Sequence, residues 1–181
     1  MSTRIRLEYF TKDDYDQLIG WLDNEKDLVN WTGFMFSFPL THASLDWYLK
    51  ESNAHEDASV YIYKAVEKAT GNVIGHISLG NISEKNRAAR ISRVWIGREH
   101  RGKGFCQDMM IEVNRVGFEE LNLHRISLGV FSFNKAAIQC YKKAGFVVEG
   151  ESRDSVRYKD EWWSMTDMGI LEDEWRARSQ S

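Results

Sequence analysis

Cysteine and proline are nearly missing from this 181-residue chain, which holds two cysteines, Cys106 and Cys140, and one proline, Pro39. Neither cysteine belongs to a CxxC pair or has histidines at ligand spacing. No zinc site and no disulfide framework are therefore expected, and a reducing cytoplasmic setting fits the thiol content. A surplus of one charge sign is lacking too, since 24 Lys+Arg stand against 27 Asp+Glu for a net charge of -3. Neutralising nucleic-acid phosphates needs a basic face, and no basic run is visible, so no nucleic-acid partner is expected. Long apolar runs are missing as well. The opening residues, MSTRIRLEYF, lack the apolar stretch of a secretion signal, and no segment approaches the roughly 18 apolar residues of a membrane span. The expectation is a soluble cytoplasmic protein with no membrane partner.

What remains is ordinary globular material, 43% hydrophobic and 28% charged, with seven tryptophans as the unusual entry. A length near the usual domain size predicts one domain over 1–181, with its core at about 4–172 and a charged tail at 173–181. Ile5, Leu7 and Tyr9 alternate with Arg6 and Glu8, which predicts a half-buried strand. Thr11 and Asp14 then resemble a capping box ahead of Tyr15, Leu18, Ile19 and Leu22 at helical spacing. The aromatic stretch Trp31 to Phe38, broken by Gly33 and closed by Pro39, reads as neither a clean helix nor a central strand. Thr41 caps a second predicted helix through Leu49. A hairpin follows, Val60 to Val66 and Val73 to Leu79 around Thr70-Gly71-Asn72, and then a strand over Arg90 to Ile96. Beyond it, helix and strand alternate: Phe105 to Leu121, Arg125 to Phe131, Asn134 to Ala144, Phe146 to Glu149, and a last strand region from Arg157 to Leu171. Strand runs followed by β-α-β-α-β imply an α/β, mixed α+β domain with helices on one sheet.

The most informative stretch is Arg101-Gly102-Lys103-Gly104-Phe105-Cys106, between an apolar strand and an amphipathic helix. Amides at a helix start have no intrahelical partner, and glycines let a phosphate come close to the main chain, so such a turn can hold a pyrophosphate. Two rival phosphate motifs fail on spacing: Gln107 occupies the third glycine position of GxGxxG, and GxxxxGK[ST] has no match. A second cluster lies downstream, where Asn134, Ala137, Tyr141, Gly145 and Phe146 match NxxAxxxYxxxGF.

Arg101-x-x-Gly104 followed by that cluster, with a strand between them, resembles the acetyl-CoA-binding core of the GNAT N-acetyltransferase superfamily. The aromatic N-terminal third, Pro39-Leu40-Thr41, Leu121 to Arg125, and Glu149-Gly150-Glu151 with Arg153 are similar to the branch of ribosomal-protein N-terminal acetyltransferases and spermidine acetyltransferases. The resemblance implies a central, mostly antiparallel twisted sheet with a splayed parallel strand pair and flanking helices. It implies acetyl-CoA as cosubstrate, no metal, and a monomer or homodimer. Residues implied to hold the cosubstrate are Val94, Trp95 and Ile96 on the first splayed strand, then Arg101, Gly102, Lys103, Gly104, Phe105 and Cys106, and Asn134. Tyr141 is the implied general acid. Two positions depart from the pattern: Cys106 stands where the family has Gly or Ala, and Arg90 or Ile91 where spermidine-type relatives carry a glutamate. The missing carboxylate makes a protein N-terminal amine or a small primary amine a better expected acceptor than a polyamine.

Trp31, Phe34 and Phe36 are candidate substrate-wall residues, weighed against simple packing. Glu84, in the loop before the Arg90 strand, is a candidate base for the amine, weighed against a solvated loop charge. His76, His100 and His124 are given no role. Two alternatives stay open beside an acetyl-CoA-dependent N-acetyltransferase acting on a primary amine: a CoA-binding regulatory module without turnover, and a polyamine acetyltransferase.

Overall fold

A single seven-stranded sheet organises the chain, and its strand order puts two strands distant in sequence side by side at the centre. The computed structural model describes residues 2–50, 52–53 and 58–179. The strands are β1 (Ile5–Tyr9), β2 (Val60–Glu67), β3 (Val73–Ser83), β4 (Ala88–Ile96), β5 (Arg125–Phe131), β6 (Val147–Tyr158) and β7 (Glu161–Leu171). They lie in the order β1-β2-β3-β4-β5-β7-β6. All neighbours are antiparallel except β4 and β5, which pair in parallel through Ala88↔Arg125 to Ile91↔Leu128. A parallel pair needs a crossover connection, and the helix α4 (Phe105–Arg115), with its π-helical continuation Val116–Glu120, provides it. The α/β fold expected from the sequence, mostly antiparallel with one parallel pair, is therefore the one observed.

Helices cover both faces. Met109, Met110 and Val113 of α4 are fully buried with Ile138 and Tyr141 of α5 (Lys135–Lys143) against Ile77, Ile91, Ile126 and Leu128 of the sheet. On the opposite face α1 (Tyr15–Trp21), α2 (Glu25–Thr32) and α3 (His42–Leu49) bury Tyr15, Leu18, Leu28, Trp31, Leu45 and Tyr48 against Ile62 and Trp95. Burial of such side chains contributes about 1.5–3 kcal/mol each, so both layers are strongly attached.

The caps are local. Thr11 donates from its backbone amide and its hydroxyl to Asp14, at 2.8 and 3.1 Å, as the capping-box reading expects. Thr41 Oγ1 accepts from the Ser44 amide at 3.2 Å and starts α3.

Two expectations are corrected. The stretch containing Trp31 begins inside a helix: Asn24 accepts from the Asp27 amide at 2.9 Å and opens α2, and Gly33 ends it with φ +65°, so only 33–40 is irregular. The charged tail is also not an appendage. Residues Glu172–Ser179 form α6, and Trp175 is buried in the main core, its ring stacked on Phe118 at 5.9 Å. Trp175 docks this charged helix together with Arg178, whose Nη2 donates to the Lys143 carbonyl at 2.6 Å.

Candidate active site

The centre of the molecule opens because β4 carries a bulge. Opposite β3, His76 pairs with Trp95 and Ser78 with Ser92, so Ile77 alone faces two residues of β4, Arg93 and Val94. Arg93 adopts φ +55°, and Trp31 Nε1 donates to its carbonyl at 2.8 Å, which holds the bulge in place. A bulge increases local twist and turns the strand. Pairing of β4 with β5 stops at Ile91↔Leu128, while β5 stays on β7 as far as Phe131↔Met165. The two strands diverge from Ser92 onward and leave a cleft of about 1020 Å³ lined by Ser92–Ile96, Leu128–Phe131, the turn before α4 and one face of α5. Main-chain polar groups of β4 face this cleft without a strand neighbour, and such groups need a partner.

Above the splay sits the glycine turn. Gly102 and Gly104 have φ +76° and +85°, and a Cβ at Gly102 would meet nothing within 4 Å, so the main chain is open on that side. First-turn amides of α4 point out of the helix without intrahelical acceptors, which gives the turn the character of an anion cradle. Gly102, Gly104, Phe105 and Cys106 line the cleft; Lys103 does not. Arg101 folds back toward β4, where Nε donates to the Ile96 carbonyl at 3.0 Å and the guanidinium lies 4.6 Å from the Trp95 ring centre. Its first task is thus to tie the turn to the strand. Arg4, which sequence reasoning passed over, supports the turn from below by donating to the Lys103 carbonyl at 2.9 Å and to Asp108 at 2.7 Å. A diphosphate fits this turn: the open side of Gly102 gives it room and the amides give it donors.

Asn134 caps α5 by accepting from the Ala137 amide at 3.2 Å, and it lines the cleft. Tyr141, two turns further along the helix, lines the same cleft. Its ring is buried, and among the described residues its hydroxyl has no hydrogen-bond partner. Burial pushes the phenol above its ordinary pKa, so it stays protonated at neutral pH. The phenol at the cleft wall is thus a protonated donor with no partner among the described residues.

The cysteines overturn the expectation of free thiols. Cys106 and Cys140 form a disulfide, with Cα atoms 6.3 Å apart, that ties the first turn of α4 to α5 at the cleft wall. Spacing along the chain carried no sign of it, because 34 residues separate the pair and only the packing of α4 beside α5 brings them together. Other candidates are scattered. Trp31 lines the cleft beside Arg93, whereas Phe36 is packed among Trp31, Trp47 and Tyr48, and Phe34 is 63% exposed and does not line the cleft. Glu84 sits in the turn between β3 and β4, beyond the end where β4 and β5 are still paired, and is not brought to the cleft. His100 does line the cleft, while His76 is buried under α3 and accepts from or donates to the Tyr48 hydroxyl at 3.1 Å.

A second cavity, about 610 Å³, lies between α3 and the β2–β4 face and is lined by Met35, Trp47, Tyr48, Lys50 and Asn81 among others. It meets the cleft at Arg90, Ser92 and Arg93, which line both. Sequence reasoning missed this wall because Arg93 reaches it only through the bulge.

Residues 4–147 match the model of the acetyltransferase (GNAT) domain. The spermidine N(1)-acetyltransferase of Vibrio cholerae is 28% identical over 99% of this chain and 100% of its own. An uncharacterized N-acetyltransferase, p20, of Bacillus licheniformis is 30% identical over 87% of each chain. Among solved structures, the Vibrio cholerae spermidine N-acetyltransferase in complex with CoA and spermine has a TM-score of 0.81 at 23% identity, covering 96% of this chain and 98% of that one. A bulged, splayed strand pair beneath a glycine turn is thus joined to a family match over most of the sequence, and the chain belongs to the GNAT acetyltransferase family.

Proposed function

We propose that this acetyltransferase holds acetyl-CoA in the cleft between β4 and β5 and acetylates a primary amine that arrives through the cavity beside Arg93. The observation that carries the reading is the stretch of β4 from Ser92 to Ile96 that has no partner on β5, continuous with the glycine turn at one end and the free hydroxyl of Tyr141 on the facing wall. When bound, acetyl-CoA supplies a thioester carbonyl open to attack by an amine. The amides of Gly102, Gly104, Phe105 and Cys106 would hold the diphosphate, and the main chain of Val94, Trp95 and Ile96 would pair with the amide-bearing arm. A backbone amide of the same strand would stabilise charge on the carbonyl oxygen, an effect worth a few kcal/mol when aligned. Asn134 keeps α5 in register, and as the C–N bond forms and the C–S bond breaks Tyr141 donates its proton toward the departing sulfur and is reprotonated, through solvent, by the proton the attacking nitrogen sheds.

Among the described lining residues of both cavities Asp27 is the one carboxylate, and Arg98 binds it at 2.7 Å. With no free carboxylate base, the amine loses its proton to water before attack, so turnover rises with pH toward the amine's own pKa. The acceptor is a protein N-terminal amine or a small primary amine. A polyamine is the second reading, favoured by the spermidine acetyltransferase relatives.

The test is thermal unfolding with and without acetyl-CoA, followed by thiol release with a pooled amine library. A raised midpoint with amine-dependent thiol release supports the reading. An unchanged midpoint at millimolar acetyl-CoA refutes it, and binding without thiol release for any amine would make the chain a CoA-binding module.

A further inference from the structure

We infer that the acceptor is an amine that also carries a carboxylate, and that Arg93 is the residue that selects it. The inference rests on the acetyl-transfer reading above and names its substrate class.

Arg93 occupies the bulge of β4, at the junction of the two cavities. Among the described residues its guanidinium has only neutral acceptors: Nη1 donates to Ser92 Oγ at 2.9 Å and Ser78 Oγ at 3.3 Å, Nη2 donates to Met35 Sδ at 3.1 Å, and buried Nε has no acceptor. No carboxylate lies within salt-bridge distance of it among the described residues, although the neighbouring Arg90 is paired with Asp167 at 3.2 Å. Thioether sulfur is a weak acceptor, so the group is under-satisfied. A guanidinium drawn out of bulk water without a counter-ion is costly, and the cost is recovered when a carboxylate supplies two parallel acceptors.

The surroundings point the same way. The second cavity is lined by Lys50, Arg90 and Arg93 with no acidic side chain among its described residues. A diamine or longer polyamine would bring its second ammonium toward these cations. An amine ending in a carboxylate would place opposite charge there, with Trp47 and Tyr48 as walls for the carbon chain between. Tyr48 also lies under Arg93, 5.0 Å from ring centre to guanidinium, which fixes the fork in orientation.

Three acceptors with chains of equal length separate the possibilities: δ-aminovalerate, pentylamine and cadaverine, ending in a carboxylate, a methyl group and a second ammonium. Initial rates of thiol release with saturating acetyl-CoA should give the highest kcat/KM for δ-aminovalerate. Arg93→Gln should lower that value about 10- to 10²-fold, the range for loss of a hydrogen-bonded charge partner, with a much smaller change for pentylamine. Arg93→Lys, which keeps the charge and loses the fork, should recover part of the preference. The acetyl-CoA-induced rise in thermal midpoint, measured on each variant, reports that the fold and the donor cleft are intact. Equal or better turnover of cadaverine, or a variant effect shared by all three amines, overturns the inference while the acetyl-transfer reading stands. Binding of acetyl-CoA with no turnover of δ-aminovalerate also counts against it. Loss of acetyl-CoA binding in the unaltered protein would instead remove the acetyl-transfer reading on which it depends.

Discussion

Replacing Tyr141 by phenylalanine removes one hydroxyl and little else, which makes it the sharpest test of the proposed chemistry. Tyr141 is 6% exposed, and its ring packs near Phe146 at 6.4 Å, contacts that phenylalanine keeps. The hydroxyl has no protein partner among the described residues, so its loss strands no donor or acceptor. Stability should change by less than about 0.5–1.5 kcal/mol, the net value of a satisfied hydrogen bond, because here there is none to lose. Catalysis should respond differently. Negative charge grows on the sulfur as it departs, so a phenol in reach is worth more late in the reaction than in the ground state, and its loss falls on kcat rather than KM. General acids typically contribute about 10²- to 10⁴-fold. A thiolate, whose conjugate acid has a pKa of about 8.5, leaves tolerably without help, and burial makes Tyr141 a weaker acid than a free phenol. The expected loss is therefore about 10- to 10²-fold, at or below the low end of that range. Steady-state thiol release at varied acetyl-CoA, with thermal unfolding as the fold control, measures both quantities. A kcat within about twofold of the parent would refute the assignment, and a raised KM at unchanged kcat would make Tyr141 a positioning residue.

Acetyl-CoA at 100 times its Kd should stabilise the protein by about 2.7 kcal/mol. Gly102→Val should abolish that gain at a cost of about 1–2 kcal/mol to the unliganded fold from its φ of +76°, and an undiminished ligand shift would move the diphosphate elsewhere. Reducing the Cys106–Cys140 bond, which closes a loop of 34 residues, should cost up to about 4 kcal/mol by loop entropy, seen as a lower thermal midpoint with phosphine reductant; an unchanged midpoint would show that the bond does not constrain the unfolded chain. His76 is buried with its pKa lowered to about 3 by desolvation first and the Arg93 charge second. Since the unfolded histidine takes up its proton near pH 6.5 and the folded one does not, its contribution is whole above about pH 6.5 and is lost as pH falls toward 3, at about 1.4 kcal/mol per pH unit. His76→Phe should flatten that slope in urea titrations between about pH 6.5 and 4, and identical slopes would show that His76 is protonated in the native state.

Most of what depends on neighbours along the chain was legible from residues alone. Alternation in Ile5–Tyr9 and helical spacing in Phe105–Val113 report which face is buried, because period 2 and period 3.6 are properties of the backbone itself. The glycine turn could be read in the same way, since Gly102 and Gly104 are there for positive φ values that other residues adopt only with strain. Even α2 carries a local signal, the cap that Asn24 makes by accepting from the Asp27 amide.

What could not be read is whatever depends on partners distant in sequence. The bulge at Arg93 exists only relative to β3, so neither the opening of the cleft nor the placement of an unpaired guanidinium between two cavities can be found by scanning β4. Arg101 reads as a phosphate ligand in a linear motif, and only the fold shows that it lines the cleft while its Nε donates to the carbonyl of Ile96 and its guanidinium lies over Trp95. Cys106 and Cys140 look unrelated until α4 and α5 are laid side by side. Local sequence thus set most of the elements and the turn, because torsional preference and periodic burial act over a few residues; the cleft, the disulfide and the charge of the second cavity arose from register and packing, which no short window of sequence contains.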